Sequence, residues 1–77
     1  MACTMLLQEL GKEMGVELGH RIRTLRKARR LSQGEMFGLD RSFVSDMERG
    51  AKMPSLPVLK VLSVGFEVPL AQLVEGL

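Results

Sequence analysis

Polar side chains recur at helical spacing between residues 41 and 49. At 100° per residue, one sector of about 140° collects hydrogen-bonding groups, and the opposite side is apolar. The polar sector holds Arg41, Ser42, Ser45, Asp46 and Arg49, and the apolar side holds Phe43, Val44 and Met47. Arginine can donate two hydrogen bonds to a guanine edge, serine lets a base approach closely, and Asp46 can accept from a cytosine amine or orient a neighbouring arginine. The pattern indicates a surface that reads base edges, with an ordinary amphipathic helix as the alternative.

The chain around this segment is basic, whereas both of its ends are acidic. Between residues 20 and 60 there are ten Lys or Arg residues and four Asp or Glu residues, although the net charge of the 77-residue chain is only +2. The flanking acids are Glu9, Glu13, Glu17, Glu67 and Glu75. Positive charge concentrated on one segment is expected of a protein that binds a polyanion, and a solvated helix face is the alternative.

Five side chains are candidates for contacts with phosphate groups. Gln33 stands at the start of a short predicted helix, where its amide and the free backbone N–H groups can bind a phosphate oxygen. A plain surface glutamine is the alternative. Arg49 and Lys52 would follow the nucleic-acid backbone beyond the polar helix, and Arg23 and Lys27 lie on the basic face of the helix that precedes Gln33.

One ion pair is predicted to brace the polar helix from behind. Glu48 lies at the border of its apolar side, and Arg26 lies on the inward side of the preceding basic helix. A buried pair between them would lock the two helices together, because removing one partner of such a pair costs about 3–5 kcal/mol. The alternative is that both groups are solvated surface charges.

The segments before residue 31 are predicted to be helical. Residues 18–30 form the clearest helix, because inward-facing side chains recur every three or four residues, at Leu18, Ile22, Leu25 and Arg29. Residues 1–17 form an N-terminal arm or an additional helix, in which Gly11 and Gly15 lower the helix propensity. The apolar stripe of this arm consists of Met5, Leu6, Leu10 and Met14.

Four further helices are placed by their end signals. Ser32 and Glu35 form a capping box for a short second helix that Gly38 ends. Asp40 caps the third helix, which runs to about residue 49 and has Gly50 beyond its end. The fourth helix, over residues 56–64, has Ser55 as its cap, Pro57 in its first turn, Gly65 at its end, and Leu56, Leu59 and Leu62 facing inward. Pro69 opens the fifth, over residues 69–75, with Leu70 and Leu73 facing inward. No segment alternates like a strand, so residues 18–77 are predicted to form one all-α domain.

The remaining chemistry-bearing residues argue against catalysis. His20 is the single histidine and has no companion acid or cysteine, and Cys3 is the single cysteine. Without a nucleophile–base pair, a metal-ligand cluster or a glycine-rich phosphate loop, we expect neither an enzyme nor a bound cofactor. The cysteine usage fits a reducing cytoplasm, and neither a secretory signal nor a membrane-spanning segment is predicted.

Three segments carry a resemblance to a known family: LGHRIRTLRKARRLSQGE, SFVSDMERG and PSLPVLKVLSVGFEVPLAQL. Over residues 18 to 74 the chain resembles the lambda-repressor-like, Xre-type helix-turn-helix domain. The most specific positions are Arg26, Ser32, Gln33, Ser45, Glu48, Arg49, Gly50, Pro54 and Ser55. The resemblance implies a compact five-helix domain in which the second and third helices bind DNA. It further implies Gln33 on a phosphate, Arg41, Ser42 and Asp46 near base edges, and the pair of Arg26 with Glu48.

The second helix departs from the family pattern. Family members usually have seven residues between the Gln that opens this helix and the turn Gly, whereas four separate Gln33 from Gly38 here. Phe37 also occupies the place of the small residue that lets the second and third helices approach. A loss of about one helical turn keeps the apolar face to within roughly 60°, so a shortened second helix is feasible. The alternative is that the loss tilts the third helix and changes how it docks.

Two functions from different classes follow. Family members are usually transcriptional regulators that bind palindromic operators as dimers, among them phage repressors, controllers of restriction–modification operons and antitoxins. The first hypothesis is therefore a homodimeric, sequence-specific regulator of double-stranded DNA without a small-molecule effector. The second is an oligomerisation or protein-interaction module on the same fold, motivated by the shortened second helix, the six Met residues and the apolar tail of residues 64–77.

Overall fold

The structure, a computed structural model, describes residues 2–77, with side chains for residue 6 and residues 8–77. Four α-helices make up this part of the chain: α1 (Ala2–Ala28), α2 (Arg41–Glu48), α3 (Leu56–Phe66) and α4 (Leu70–Val74). A single 3-10 turn, Gln33–Glu35, lies between α1 and α2. The predicted all-α class is confirmed. The number of α-helices is corrected, because a 3-10 turn stands where the second helix was predicted.

Helix α1 is longer than the sequence pattern indicated. The predicted arm and the predicted first helix form one continuous helix of 27 residues, so the boundary drawn between residues 17 and 18 falls inside it. Neither Gly11 nor Gly15 interrupts it. The helix ends at Ala28, two residues early, and Arg30 follows in the left-handed conformation with φ 56°. Of the predicted apolar stripe of the arm, the Met5 side chain lies outside the described residues. The other three members, Leu6, Leu10 and Met14, are exposed.

Two glycines let α1 cross the end of α2 at close range. A Cβ atom added at Gly19 would lie 2.3 Å from the carbonyl oxygen of Met47 and 2.7 Å from that of Glu48. On the other side of the contact, a Cβ atom at Gly50, whose φ is +77°, would lie 2.9 Å from the Cγ2 atom of Val16. Gly19 on α1 and Gly50 beyond α2 therefore allow the backbone of α1 to pack directly on the end of α2.

The core lies between α1, α2, α3 and α4 and is almost entirely aliphatic or thioether. Its eight apolar side chains are each at most 3% exposed: Leu18, Ile22, Met36, Val44, Met47, Leu62, Phe66 and Leu73. Leu25, Leu59 and Leu70 pack against it while partly exposed. Leu56, predicted to face inward, is 66% exposed because it is the first residue of α3 and lies nearly two turns before Leu62, where the buried part of the helix begins.

The predicted second helix is replaced by the 3-10 turn. The capping-box contact is present, since the Ser32 N–H donates to Glu35 Oε1 at 2.9 Å, but only three residues follow in helical form. Met36 is fully buried, and Phe37 takes a left-handed conformation with φ 56°. With three residues fewer than the family pattern has, the segment between Ser32 and α2 forms one 3-10 turn in place of the predicted helix.

Phe37 packs against the end of α3. Its ring meets the ring of Phe66 edge-on, with centroids 5.2 Å apart. A Cβ atom at Gly65 would lie 2.5 Å from the Phe37 ring, so a glycine inside α3 makes room for this packing. Gly65 therefore does not end α3 as predicted; the helix continues to Phe66 and ends at Glu67 with φ 58°.

The described residues contain no helix that combines the length and the apolar character needed to cross a membrane.

Candidate nucleic-acid interface

Helix α2 has well-defined ends, as its sequence predicted. Asp40 Oδ2 accepts from the backbone N–H groups of Ser42 at 3.0 Å and Phe43 at 3.3 Å. At the other end, the Gly50 N–H donates to the Met47 carbonyl at 3.0 Å, and the positive φ of Gly50 turns the chain away. These caps satisfy backbone groups that an eight-residue helix would otherwise leave unpaired. The polar residues of α2 are thereby held in a fixed relation to one another.

The inward edge of α2 is anchored by packing and by an ion pair. Val44 and Met47 are buried in the core. Arg26 Nε lies 2.6 Å from Glu48 Oε2 and Arg26 Nη2 lies 3.0 Å from Glu48 Oε1, a two-point arrangement. The two side chains are only 11% and 4% exposed. The hydrogen bond with Glu48 raises the pKa of Arg26 above its ordinary value, so the guanidinium group stays charged.

Arg26 also connects α1 to the 3-10 turn. Its Nη1 atom donates to the carbonyl of Leu31 at 2.9 Å. Gln33 Nε2 in turn donates to Glu48 Oε1 at 3.3 Å. Gln33 was predicted to bind phosphate from the start of a helix. The turn that replaces this helix places Gln33 against the ion pair and at the edge of the exposed groove described next.

The outward edge of α2 forms an open, polar groove of about 430 Å³. The groove brings together six of the predicted contact residues: Gln33, Arg41, Ser42, Ser45, Asp46 and Arg49. Arg41, Ser42 and Arg49 are exposed, and the other three are partly exposed. An adjoining groove is lined by Arg26, Ser32, Gln33, Gly34 and Arg41. Guanidinium, hydroxyl, amide and carboxylate groups thus share one solvent-facing surface beside the N-terminal end of α2, which suits hydrogen bonding to base edges and phosphates.

Two of the predicted phosphate-binding cations are paired with Asp46. An Arg49 guanidinium nitrogen binds Asp46 Oδ1, and Lys52 Nζ lies 3.5 Å from Asp46 Oδ2. Asp46 is 22% exposed, whereas both cations are more than 60% exposed. Arg23 and Lys27 are exposed on α1 and line neither groove. The structure therefore gathers the α2 and turn residues into one site and leaves these two on a separate surface of α1.

Two arginines of the basic segment have roles that sequence analysis did not assign. Arg21 Nη1 donates to the carbonyl of Leu73 at 3.1 Å, and Arg29 Nη2 donates to the carbonyl of Phe66. The Arg29 guanidinium also lies 5.2 Å from the centroid of the Phe66 ring. Both cations stabilise C-terminal carbonyls of other helices, as expected from the helix dipole. For Arg29 a signal was present, because its spacing places it on the inward stripe of α1.

No group of His, Cys, Asp and Glu side chains in the described residues is arranged to hold a metal ion.

Comparisons with known proteins agree with this geometry. The family model described as a helix-turn-helix domain matches residues 17–75. A solved structure, the restriction-modification controller protein C.AhdI from Aeromonas hydrophila, superimposes with a TM-score of 0.69 and 38% sequence identity. The match covers 75% of this chain and 92% of C.AhdI. No curated protein matches the chain. The exposed polar edge of α2, its caps and these two matches together place the chain in the helix-turn-helix family of DNA-binding regulators.

Proposed function

We propose that the protein is a homodimeric transcriptional regulator that binds a palindromic operator with α2 in the major groove. The observation that carries this proposal is the division of α2 into two edges. The inward edge is fixed by Val44, Met47 and Glu48, and the outward edge presents hydrogen-bonding groups to solvent. An α-helix with its side chains is about 10–12 Å across, which fits the major groove, about 12 Å wide.

The contacts divide into two kinds. Arg41, Ser42, Ser45 and Asp46 are proposed to meet base edges, because they occupy the outward face of α2. Gln33, Arg49, Lys52, Arg23 and Lys27 are proposed to meet phosphates, which would position the helix without reading sequence. Phosphate contacts release counterions, so affinity should fall steeply as salt is added.

Dimerisation is supported by apolar side chains that the monomer leaves exposed. The apolar tail of the chain is partly used inside the monomer, since Phe66 and Leu73 are core residues. Exposed apolar side chains remain on α1, at Leu6, Leu10 and Met14, and on α3 and α4, at Val61, Val64 and Val74. Two copies on a palindrome would place their α2 helices about 34 Å apart.

The two surfaces can be separated by charge insertion. Sedimentation equilibrium of the native chain at tens of micromolar should give a dimer, and either Leu10→Glu or Val64→Glu should give a monomer, identifying the interface. A native monomer at this concentration contradicts the dimer, and two variants that remain dimeric exclude both surfaces.

The experiment that tests DNA binding is selection of bound sites from a random duplex pool. The proposal expects an inverted-repeat consensus with half-sites about one helical turn apart. Fluorescence anisotropy on the consensus should then show that Arg41→Ala relaxes preference at one base position. Recovery of no consensus, with no gel shift at micromolar protein and low salt, would favour the second function, an interaction module on the same fold.

Narrower roles are proposed on the strength of the similarity. C.AhdI is a restriction-modification controller protein, and the 38% identity supports a role of that kind for this chain. We further propose a cytoplasmic protein that binds without catalysing a reaction and without a small-molecule effector. If no small-molecule effector is needed, a reporter gene placed behind the selected operator should respond to the protein alone.

A further inference from the structure

Asp46 is an acid at the centre of a surface proposed to bind a polyanion. Its two carboxylate oxygens face different cations, since Arg49 binds Oδ1 and Lys52 Nζ lies 3.5 Å from Oδ2. The groove that contains it also holds Arg41, Ser42 and Ser45. Asp46 is therefore both a candidate for base contact and the partner of two cations expected to bind phosphate.

We propose that Asp46 is a specificity determinant that works by competition: in the free protein it retains Arg49 and Lys52, and it releases them to phosphates only when a cytosine amine takes their place. The proposal deepens the proposed function and rests on it. In the major groove, the edge of cytosine carries an amine donor and no acceptor. The edge of guanine carries acceptors, which repel a carboxylate. On a DNA sequence without that amine donor, the complex can adopt only one of two unfavourable states.

The first unfavourable state keeps both ion pairs and forgoes two phosphate contacts. The second gives Arg49 and Lys52 to phosphates and leaves the Asp46 carboxylate, which is only 22% exposed, without a partner in a strongly negative potential. A matching cytosine removes this conflict, because its amine satisfies the carboxylate while the cations bind the backbone. Discrimination therefore arises from weaker binding to all other sequences as well as from the contact itself.

The exposure of the two cations makes such an exchange feasible. Arg49 and Lys52 are 67% and 62% exposed, and exposed ion pairs contribute little to stability. Neither cation packs in the core, and the Arg49 Nε contact to the Ser45 carbonyl, at 3.4 Å, is long. Both side chains can move from Asp46 to a phosphate without disturbing α2. The Asp40 side chain caps one end of the helix, the backbone N–H of Arg49 caps the other, and the buried edge uses neither cation.

The test compares Asp46→Asn with Glu67→Gln, which removes the same charge at an exposed position beyond the end of α3. Binding of the full chain to the selected operator and to a random duplex of equal length is measured by fluorescence anisotropy over a salt series. Relative to Glu67→Gln, we expect Asp46→Asn to bind random DNA about 3- to 20-fold more tightly at low salt. Its salt dependence on random DNA should steepen by one to two phosphate contacts, about 0.9 per contact in log–log slope.

A second measurement separates competition from simple orientation of Arg49. Lys52→Gln should weaken random-DNA binding more in the Asp46→Asn background than in the native chain, because Lys52 is then free. Equal effects in the two backgrounds, or random-DNA binding of Asp46→Asn no tighter than that of Glu67→Gln, would overturn the competition. If the native chain selects no operator, the proposed function itself fails. If the native chain selects an operator but Asp46→Asn and Glu67→Gln bind random DNA equally, only the competition proposed here is rejected. Thermal unfolding followed by circular dichroism checks that both variants fold.

Discussion

The two carboxylates near the end of α2 stand only two residues apart and meet opposite surroundings. Glu48 is 4% exposed and binds Arg26 at two points, within reach of Gln33 as well. Asp46 is 22% exposed and binds two cations that are themselves mostly exposed. Both are ion pairs by distance, yet burial decides their use: the first cannot be opened without stranding a charge, and the second can be exchanged for a ligand.

The largest expected effect is on the buried edge. Arg26→Ala should lower the free energy of unfolding by about 3–5 kcal/mol, because Glu48 is left as an uncompensated buried charge. Urea denaturation measures the loss. The matched control is the double variant Arg26→Met, Glu48→Leu, which removes both charges and should stay close to the native stability. A loss below about 1 kcal/mol for Arg26→Ala would mean that the pair is solvated after all.

Next in size is the close approach of α1 to the same end of α2. Gly19→Ala should destabilise the fold by about 1–3 kcal/mol, because its Cβ atom would collide with the backbone carbonyls of Met47 and Glu48. Gly11→Ala, on the same helix with nothing within 4 Å of its Cβ position, should instead stabilise the fold by about 0.5–1 kcal/mol. Opposite signs in urea denaturation support the packing; the same sign for both contradicts it.

On the exposed edge the effect moves from folding to binding. Arg41→Ala should weaken binding to the selected operator by about 1–3 kcal/mol and relax preference at one base position. The free energy of unfolding should change by less than about 0.5 kcal/mol, since Arg41 is exposed at the start of α2. Anisotropy across single-base variants, paired with denaturation, separates the two quantities. Unchanged relative affinities across those variants would show that Arg41 does not read a base.

Gln33 tests where the two edges meet, because it lines the groove and donates to Glu48. Gln33→Ala should weaken binding to all sequences alike, by about 0.5–1.5 kcal/mol, as expected for one lost hydrogen bond to a phosphate. Its comparison variant is Gln72→Ala, an exposed glutamine on α4 that should leave affinity unchanged. A Gln33→Ala variant that loses only the operator and keeps random-DNA binding would reassign Gln33 to base reading.

The smallest effect concerns Glu35, a fully exposed carboxylate. The backbone hydrogen bond from Ser32 lowers the pKa of Glu35 below its ordinary value. A lowered folded-state pKa means that the stabilisation is present above the unfolded-state pKa and is lost as the pH falls through the folded-state value. The stability difference between native and Glu35→Gln should therefore be present near pH 6 and shrink below about pH 4. A difference that grows on acidification would show the opposite sign of linkage.

Local sequence signals predicted α2 well. The caps Asp40 and Gly50, the Ser32–Glu35 contact and the two faces of α2 all follow from residues within four positions of one another. Side-chain periodicity and cap hydrogen bonds depend on neighbours along the chain, so they can be assigned without the fold. The pairing of Arg26 with Glu48 was predicted from which side of each helix faces inward.

The extents of helices predicted from glycine positions were less accurate. Gly11 and Gly15 lowered the helix propensity of residues 1–17, and Gly65 predicted the end of α3, yet both helices continue through these glycines. A glycine lowers helix propensity by about 1 kcal/mol, and the packing of the helix as a whole outweighs that amount. Gly19 packs on Met47, and Gly65 packs on Phe37. Both contacts are with residues outside the helix that contains the glycine, so the sequence of that helix alone does not predict them.

The sequence by itself determined that the chain is helical, that α2 has one polar and one apolar face, and that basic charge surrounds it. Only the tertiary structure decided which cations remain available, since Arg21 and Arg29 bind carbonyls of distant helices and Arg49 and Lys52 bind Asp46. It also decided how three missing residues are accommodated, through a 3-10 turn and the packing of Phe37 on α3. The reason is range: patterns within a few residues fix local conformation, whereas the partner of a charge or a ring depends on chain segments up to 52 residues away.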